Sequence, residues 1–223
     1  MTDTIEAIAR SLAADVRAVA TVSHNVANLN TPGFRAGRMP ADFSASMGHS
    51  ASLDLGDGPL APSGRPLDLA LRGRGFFLVQ RGDQLLLTRA GDFRLDVDGR
   101  LVTAGGDLVL GQSGTITLAD EAVRVDERGA VLVEDHAIDQ LRIVDVATPA
   151  RLRAAGGGAF VYDGALSDWQ GKVVQGAIER SNVDPAGETV RLMELTRHAE
   201  SVQRAISIYD KAMETGINRL GDN

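Results

Sequence analysis

The sequence predicts an α+β protein in which N-terminal and C-terminal α-helices with the spacing of a coiled coil flank a mainly antiparallel β domain. The first observation is the glycine distribution: residues 1–32 contain none, residues 33–176 contain 22 of the 25, and residues 177–223 contain three. Glycine is unfavourable inside helices and common in turns. The order is therefore helix, turn-rich β region, helix. The second observation is an apolar periodicity at both ends of the chain.

The N-terminal helix is predicted from apolar residues that recur at steps of three and four from Ile5 to Leu29, with Asp15 as the one interruption. This is the spacing of a coiled-coil seam. A helix of about 25 residues would be about 37 Å long. The residues that we expect to form an interface are Leu12, Val19, Val22, Val26 and Leu29.

The C-terminal helix is predicted from the same spacing over residues 192–220. Ser181, Asn182 and Asp184 offer N-caps, and Pro185 suits the first helical position. Isolated helices of this kind are marginal, so we expect both to pack on each other or on neighbouring molecules. The expected interface residues are Leu192, Leu195, Val202, Ile206, Tyr209, Met213 and Leu220.

The β domain is predicted from short apolar runs separated by glycine turns. Within it, residues 93–102 and 123–132 align without a gap at an offset of 30 residues. Each copy has Asp at the first position and Gly at the fourth position of a turn, which is the preference of a type I turn. The two copies therefore predict two hairpins of the same construction.

The expected division of the chain follows from these patterns. Residues 1–36 form an N-terminal helix with a turn motif, and residues 66–179 form the β domain. Residues 180–223 form the C-terminal helix. Between the first helix and the β domain, residues 37–65 are rich in Gly, Pro, Ser, Ala and Asp, which predicts a flexible arm.

Composition excludes several functions. The net charge of -7 is spread along the chain, so no basic face for a nucleic acid is expected. The absence of cysteine removes disulfides, thiol nucleophiles and thiolate metal sites. The four histidines lie in separate settings without ligand spacing, and no catalytic motif is present. We expect no enzyme activity, no catalytic residue, no metal, no cofactor, no small-molecule substrate and no transmembrane segment.

The most specific stretch is VSHNVANLNTPGFR, residues 22–35, where the apolar helix pattern runs into a turn. Asparagine bonds the backbone locally, so it could satisfy the last carbonyls of the helix. Pro32-Gly33 suits the centre of a type II turn, in which Gly takes positive φ, and Phe34 would then be buried. The predicted assembly motif consists of Asn25, Ala27, Asn28, Thr31, Pro32, Gly33 and Phe34.

This stretch resembles the N-terminal signature of the bacterial flagellar rod and hook proteins. Three further stretches in the same order are similar to that family: residues 65–77, residues 88–102, and Ser181-Asn182-Val183-Asp184-Pro185 with the helix after it. The resemblance implies that the terminal helices form a coiled coil lining an inner tube. Subunits would stack into the rod, which carries torque from the motor to the hook.

The resemblance also implies partners and a location. The partners would be other copies of the chain, other rod proteins and the flagellar type III export apparatus. The protein would lie in the periplasmic rod of the basal body, exported without a cleaved signal peptide.

Several alternatives are open at this stage. The short arm favours the larger proximal-rod protein over the distal-rod protein of the same family. A monomeric β-domain ligand binder, or a carbohydrate-active enzyme with helical ends, would instead have a concave site. A coiled-coil adaptor would not need the β hairpins.

Overall fold

A computed structural model describes residues 2–39, 52–120 and 122–221, with side chains described over 6–39, 52–120, 122–209 and at 211. The chain divides into two compact units. We call the first the helical unit; it contains the chain up to Val26, the segment that starts at Gly37, and the chain from Asp184 onward. The second, the β unit, contains Ala27–Ala36 and Ser52–Val183. The predicted α+β class, with a helix at each end and an antiparallel β domain, is confirmed.

The helical unit contains α1 (Thr2–Ala27) and α2 (Pro185–Gly221). Side-chain contacts join them over the described residues: Asn25 Nδ2 donates to Glu188 Oε1 at 3.1 Å, and His198 Nδ1 lies 2.8 Å from Asp15 Oδ2. The contacts are ten residues apart on each helix and run in opposite directions, so α1 and α2 are antiparallel. Ten residues span about 15 Å of helix. Neither helix is long and apolar enough, over its described residues, to cross a membrane.

The strands are short, and every ladder described within the β unit is antiparallel. They are β1 (Gly37–Arg38), β2 (Ser52–Leu53), β3 (Leu60–Pro62), β4 (Leu69–Arg72), β5 (Phe76–Arg81), β6 (Gln84–Thr88), β7 (Arg94–Leu95), β8 (Leu101–Val102), β9 (Leu108–Val109), β10 (Arg124–Val125), β11 (Ala130–Val133), β12 (His136–Gln140), β13 (Ile143–Val146), β14 (Arg153–Gly156), β15 (Ala159–Val161), β16 (Leu166–Asp168), β17 (Lys172–Gln175) and β18 (Ala177–Glu179).

The largest sheet has nine strands. Seven follow the order β14-β15-β6-β5-β9-β8-β7, while β13 pairs with both β5 and β16. A three-stranded sheet, β10-β11-β12, and the pairs β17-β4 and β18-β3 complete the β unit.

Strand β5 is the centre of the core because both of its faces are buried. Successive side chains of a strand point to opposite faces. Phe77 packs edge-on against Phe93 with ring centroids 5.0 Å apart, and Phe76 packs against Phe160 at 5.9 Å. The two faces thus build separate apolar clusters.

The repeat predicts two equivalent hairpins, and the structure confirms them. In the first, Asp96 Oδ1 accepts the backbone N–H groups of Asp98 and Arg100, both at 2.9 Å. In the second, Asp126 Oδ1 accepts those of Arg128 and Ala130, both at 2.8 Å. The fourth turn residue has positive φ in both copies, at Gly99 (75°) and Gly129 (86°).

The segment expected to be a flexible arm, 37–65, contains ordered strands. Strands β1, β2 and β3 lie in it, and its part from Ser52 onward belongs to the β unit. Ordering there has a physical source, because Glu179 Oε1 accepts the Gly58 backbone N–H at 2.7 Å and β3 pairs with β18. Residues 40–51 of the expected arm lie outside the described residues. The turn motif after α1 likewise belongs to the β unit.

Candidate assembly site

The turn at Pro32-Gly33 is tight and closely packed. The Phe34 backbone N–H donates to the Thr31 carbonyl at 3.3 Å, which places Pro32 and Gly33 at the centre of the turn. Gly33 has φ +64°, and a Cβ there would lie 2.4 Å from the backbone of Arg89 and Ala90. Only glycine fits both the conformation and the space.

The chain after the turn docks on the segment that precedes α2. The Gly33 N–H donates to the Glu179 carbonyl at 2.8 Å, and the Ala36 N–H donates to Asn182 Oδ1 at 2.7 Å. Phe34 is buried beside Val183 in a small apolar cluster. Leu29, which the sequence groups with the helix stripe, lies beyond the end of α1 and packs against this cluster.

A buried charge network anchors this segment, and sequence reasoning missed it. Arg35, Arg89 and Glu179 are almost completely inaccessible to solvent. Glu179 bonds both cations: Arg35 Nη1 lies 2.9 Å from Oε1, and Arg89 Nε donates to Oε2 at 2.5 Å. Arg89 also approaches the half-exposed Asp57, with Nη2 3.0 Å from Oδ1.

Backbone carbonyls complete the network. Arg35 donates to the Gly56 carbonyl at 2.6 Å, and Arg89 donates to those of Leu71, Gly73 and Gly75 at 2.8, 2.7 and 2.6 Å. Burial lowers the pKa of the Arg35 guanidinium from its ordinary value, and the Glu179 carboxylate opposes that shift. Arg35 and Arg89 each lie in a stretch that resembles the family, but Glu179 does not, and no local pattern connects three residues so far apart along the chain.

Asn25 does not bond the last carbonyls of its own helix, so that part of the prediction is wrong. Its Oδ1 accepts the Gly37 N–H at 2.9 Å, and its Nδ2 donates to the Gly37 carbonyl at 3.0 Å and to Glu188. The side chain is fully buried. Thr31 Oγ1 donates to Asn28 Oδ1 at 3.1 Å, while Ala27 is exposed at the end of α1.

The predicted stripe of α1 divides between two faces. Val22 is buried in the helical unit, on the same face as Ala14, Asp15 and Asn25. The other large apolar side chains of the stripe are exposed. Their exposed fractions are Leu12 46%, Val19 41% and Val26 47%, and Val16 beside them is 62% exposed. At about 100° per residue, these four form one stripe roughly a quarter-turn around α1 from the packed face.

The predicted residues of α2 lie mostly on one half-buried seam. Leu195, Val202, Ile206 and Tyr209 are half-buried along it, whereas Leu192 is exposed. The side chains of Met213 and Leu220 lie outside the described residues.

The start of α2 is capped by Asp184. Its Oδ1 accepts the Ala186 N–H at 3.1 Å, and its carbonyl accepts the Glu188 N–H at 3.0 Å. The other two candidates for the cap act elsewhere, since Ser181 Oγ accepts the Val183 N–H and Asn182 binds Ala36. Among the residues with described side chains, no cluster of three or more histidines and carboxylates could hold a metal ion.

Three family models match the chain. A model for a flagella basal body rod protein matches residues 7–35, and one for the flagellar hook protein FlgE/F/G D1 domain matches residues 70–133. A model for the C-terminal part of the flagellar basal body rod FlgEFG proteins matches residues 174–220. Together these matches cover more than half of the chain, including the turn motif and most of both helices.

Individual relatives agree with the models. The flagellar basal-body rod protein FlgF of Caulobacter vibrioides is 28% identical over 223 residues, covering 90% of each chain. FlgG of the same organism is 26% identical over 250 residues, covering 92% of this chain and 95% of the relative. FlgG of Bacillus subtilis is 32% identical over 106 residues, covering 36% of this chain and 40% of the relative.

Proposed function

We propose that this chain is the proximal-rod member of the family of bacterial flagellar rod and hook proteins, to which it belongs. Members of this family are structural subunits of the basal-body rod and not enzymes. The alignment lengths support this proposal. The alignment with the FlgG relative of Caulobacter vibrioides is 27 positions longer than the alignment with the FlgF relative (250 against 223). The two alignments cover nearly the same share of this chain. The distal-rod member is expected to have the longer arm, and the shorter alignment with the FlgF relative favours a member with a short arm.

Assembly through the terminal helices is supported by one observation above all: α1 leaves the large apolar side chains of Leu12, Val16, Val19 and Val26 exposed along one face. Large apolar side chains in a row are rarely left in water without a partner. Burying each would contribute about 1.5–3 kcal/mol. In the proposed function this stripe packs on neighbouring rod subunits.

Export by the flagellar type III apparatus is part of the proposal. A chain without cysteine cannot form disulfides while it is unfolded, which suits passage through a narrow channel. In cells whose flagellar export apparatus is inactive, the protein should stay in the cytoplasmic fraction. Its presence in the periplasm of such cells would contradict this route.

The assignment is tested by an in-frame deletion followed by electron microscopy of purified basal bodies. The proximal-rod proposal predicts that rods are absent or stop near the inner membrane, and that filaments are missing. A rod that stops part-way across the periplasm would indicate the distal-rod member. Complete, hook-bearing basal bodies in swimming cells would contradict a rod function.

The helix interface is tested in the complemented deletion strain. Val26→Asp or Ile206→Asp should abolish rod assembly and swimming while the β unit stays folded, because a charge would be buried at the subunit contact. Val97→Asp is the matched control, since Val97 is fully exposed at the tip of the hairpin between β7 and β8. Normal swimming with both helix variants would show that these helices do not form the interface.

A further inference from the structure

We propose that Asp15 and His198, together with Asn25 and Glu188, select which face of α1 packs within the chain and keep the apolar stripe of α1 free for a second copy. The second half of this proposal rests on the proposed function. The first half concerns a single chain and stands independently of it.

Asp15 is the residue that interrupts the apolar repeat of α1, and it is buried. Both of its carboxylate oxygens approach His198 Nδ1, at 2.8 and 3.0 Å. A buried carboxylate without a donor is strongly unfavourable. The face of α1 that carries Asp15 can therefore pack only where the opposite helix offers a donor at the same level.

The packed face of α1 is the less apolar of its two candidate faces. It carries the small residues Ser11, Ala14 and Ala18, with Val22 as a buried large apolar side chain. Leu12 and Val19, on the other face, remain about half exposed. Apolar burial alone would favour a rotation of α1 that exchanges these faces. The rotation does not occur in this structure, and the polar contacts of Asp15 and Asn25 supply the physical reason.

The two polar contacts also fix the register along the helices. A slide of one heptad in one direction would place Asp15 opposite Ala205, which has no side-chain donor. A slide in the other direction would place Asp15 opposite Arg191 but would carry Asn25 to the level of residue 181, before α2 begins. Neither one-heptad slide keeps both contacts, so the two pairs favour the observed register, in the way that a single buried polar residue specifies register in a coiled coil.

Cysteine cross-linking in the purified full-length chain tests face selection, because the chain has no cysteine of its own. Ala18→Cys with Leu195→Cys probes the packed face, and Val19→Cys with Leu195→Cys probes the stripe at nearly the same level. Under mild oxidation, the first pair should give an intrachain cross-link in roughly tenfold higher yield than the second.

The decisive variant replaces the Asp15–His198 pair by apolar residues, Asp15→Leu with His198→Leu. In this variant, the ratio of the first pair's cross-link yield to the second pair's should fall about tenfold, to near one or below. The reason is that the apolar stripe of α1 can then pack on α2 in place of the present face. The exchange variant Asp15→His with His198→Asp keeps the pair and should keep the parent ratio. Trp169 fluorescence reports separately that the β unit is folded.

Two outcomes would overturn the proposal: a parent chain without preference for the first pair, or a ratio unchanged by the apolar double substitution. Either result would leave the rod assignment standing, because the readout is internal to one chain. Conversely, a deletion strain with complete rods would overturn the proposed function and leave a positive cross-linking result intact.

Discussion

The two units of the chain bury their surfaces to very different extents. In the β unit, Phe77, Val79 and Leu86 are fully inaccessible, and so is the charged side chain of Arg89. In the helical unit, Val16 and Met193 are more than half exposed. The β unit therefore has the buried core of an independent domain, and buried ion pairs within it add to its stability. The helical unit leaves large apolar side chains exposed, and we propose that neighbouring subunits cover them.

The largest loss of stability in the β unit is expected when the buried charge network is disrupted. Glu179→Gln removes the carboxylate that lies between Arg35 and Arg89, leaving two buried cations without it. We expect the free energy of unfolding of the β unit to fall by about 3–5 kcal/mol. Urea titration followed by the fluorescence of Trp169, the one tryptophan, measures it.

An exposed ion pair in the same unit provides the control. Asp163→Asn disrupts the contact between Arg153 and Asp163, whose side chains are 67% and 56% exposed. The loss should stay below about 1 kcal/mol. Equal losses in the two variants would mean that burial of the Glu179 network does not stabilise the β unit.

The second prediction compares alanine substitutions at two glycines of the β unit, one of them in the turn motif. Gly33 and Gly82 both have positive φ, at 64° and 58°, but only Gly33 has backbone atoms within 4 Å of a Cβ position. Gly82→Ala should cost about 1–2 kcal/mol from backbone conformation alone. Gly33→Ala should cost roughly 1–3 kcal/mol more from overpacking. Thermal unfolding of both variants measures the difference, and equal costs would contradict the close packing of the turn.

The third effect compares two valines of α1. Val22 is buried and Val26 is half-exposed. Val22→Ala should lower the stability of the helical unit by about 1–2 kcal/mol, at ~0.8 kcal/mol per methylene equivalent. Val26→Ala should change it by no more than about 0.5 kcal/mol. Circular dichroism at the helix band during urea titration measures both, and a larger loss for Val26→Ala would reverse the assignment of the two faces.

The smallest effect concerns Asp92 in the β unit. Burial raises the pKa of this carboxyl above its ordinary value, and the neighbouring Asp68 adds to the shift. The folded state then binds the proton more tightly than the unfolded state, so stability falls as the pH rises from the unfolded pKa through the folded pKa. Asp92→Asn removes this loss.

The stability of Asp92→Asn should depend on pH differently from that of the parent. Relative to the parent, the stability of Asp92→Asn should increase as the pH rises through that window and become constant above it. Urea titrations at several pH values measure the difference. A difference that does not vary with pH would show that Asp92 titrates alike in the folded and unfolded states.

Sequence by itself determined the local features of this protein. The period of apolar residues predicted both helices, because a helix face repeats every three or four residues. The repeated Asp-x-x-Gly predicted both hairpins, and Pro32-Gly33 predicted the turn, because turn conformation depends on a few adjacent residues. These predictions need no knowledge of distant contacts.

The tertiary structure decided the features that depend on distant partners. Arg35 is buried because Glu179 and backbone carbonyls from other strands meet it, and Asn25 bonds Gly37 and Glu188 instead of its own helix. The predicted stripe of α1 divides between two faces, and the packed face carries Asp15, which meets His198 of the other helix. Burial of a polar group is favourable only where its partners converge, and that convergence is a property of the fold.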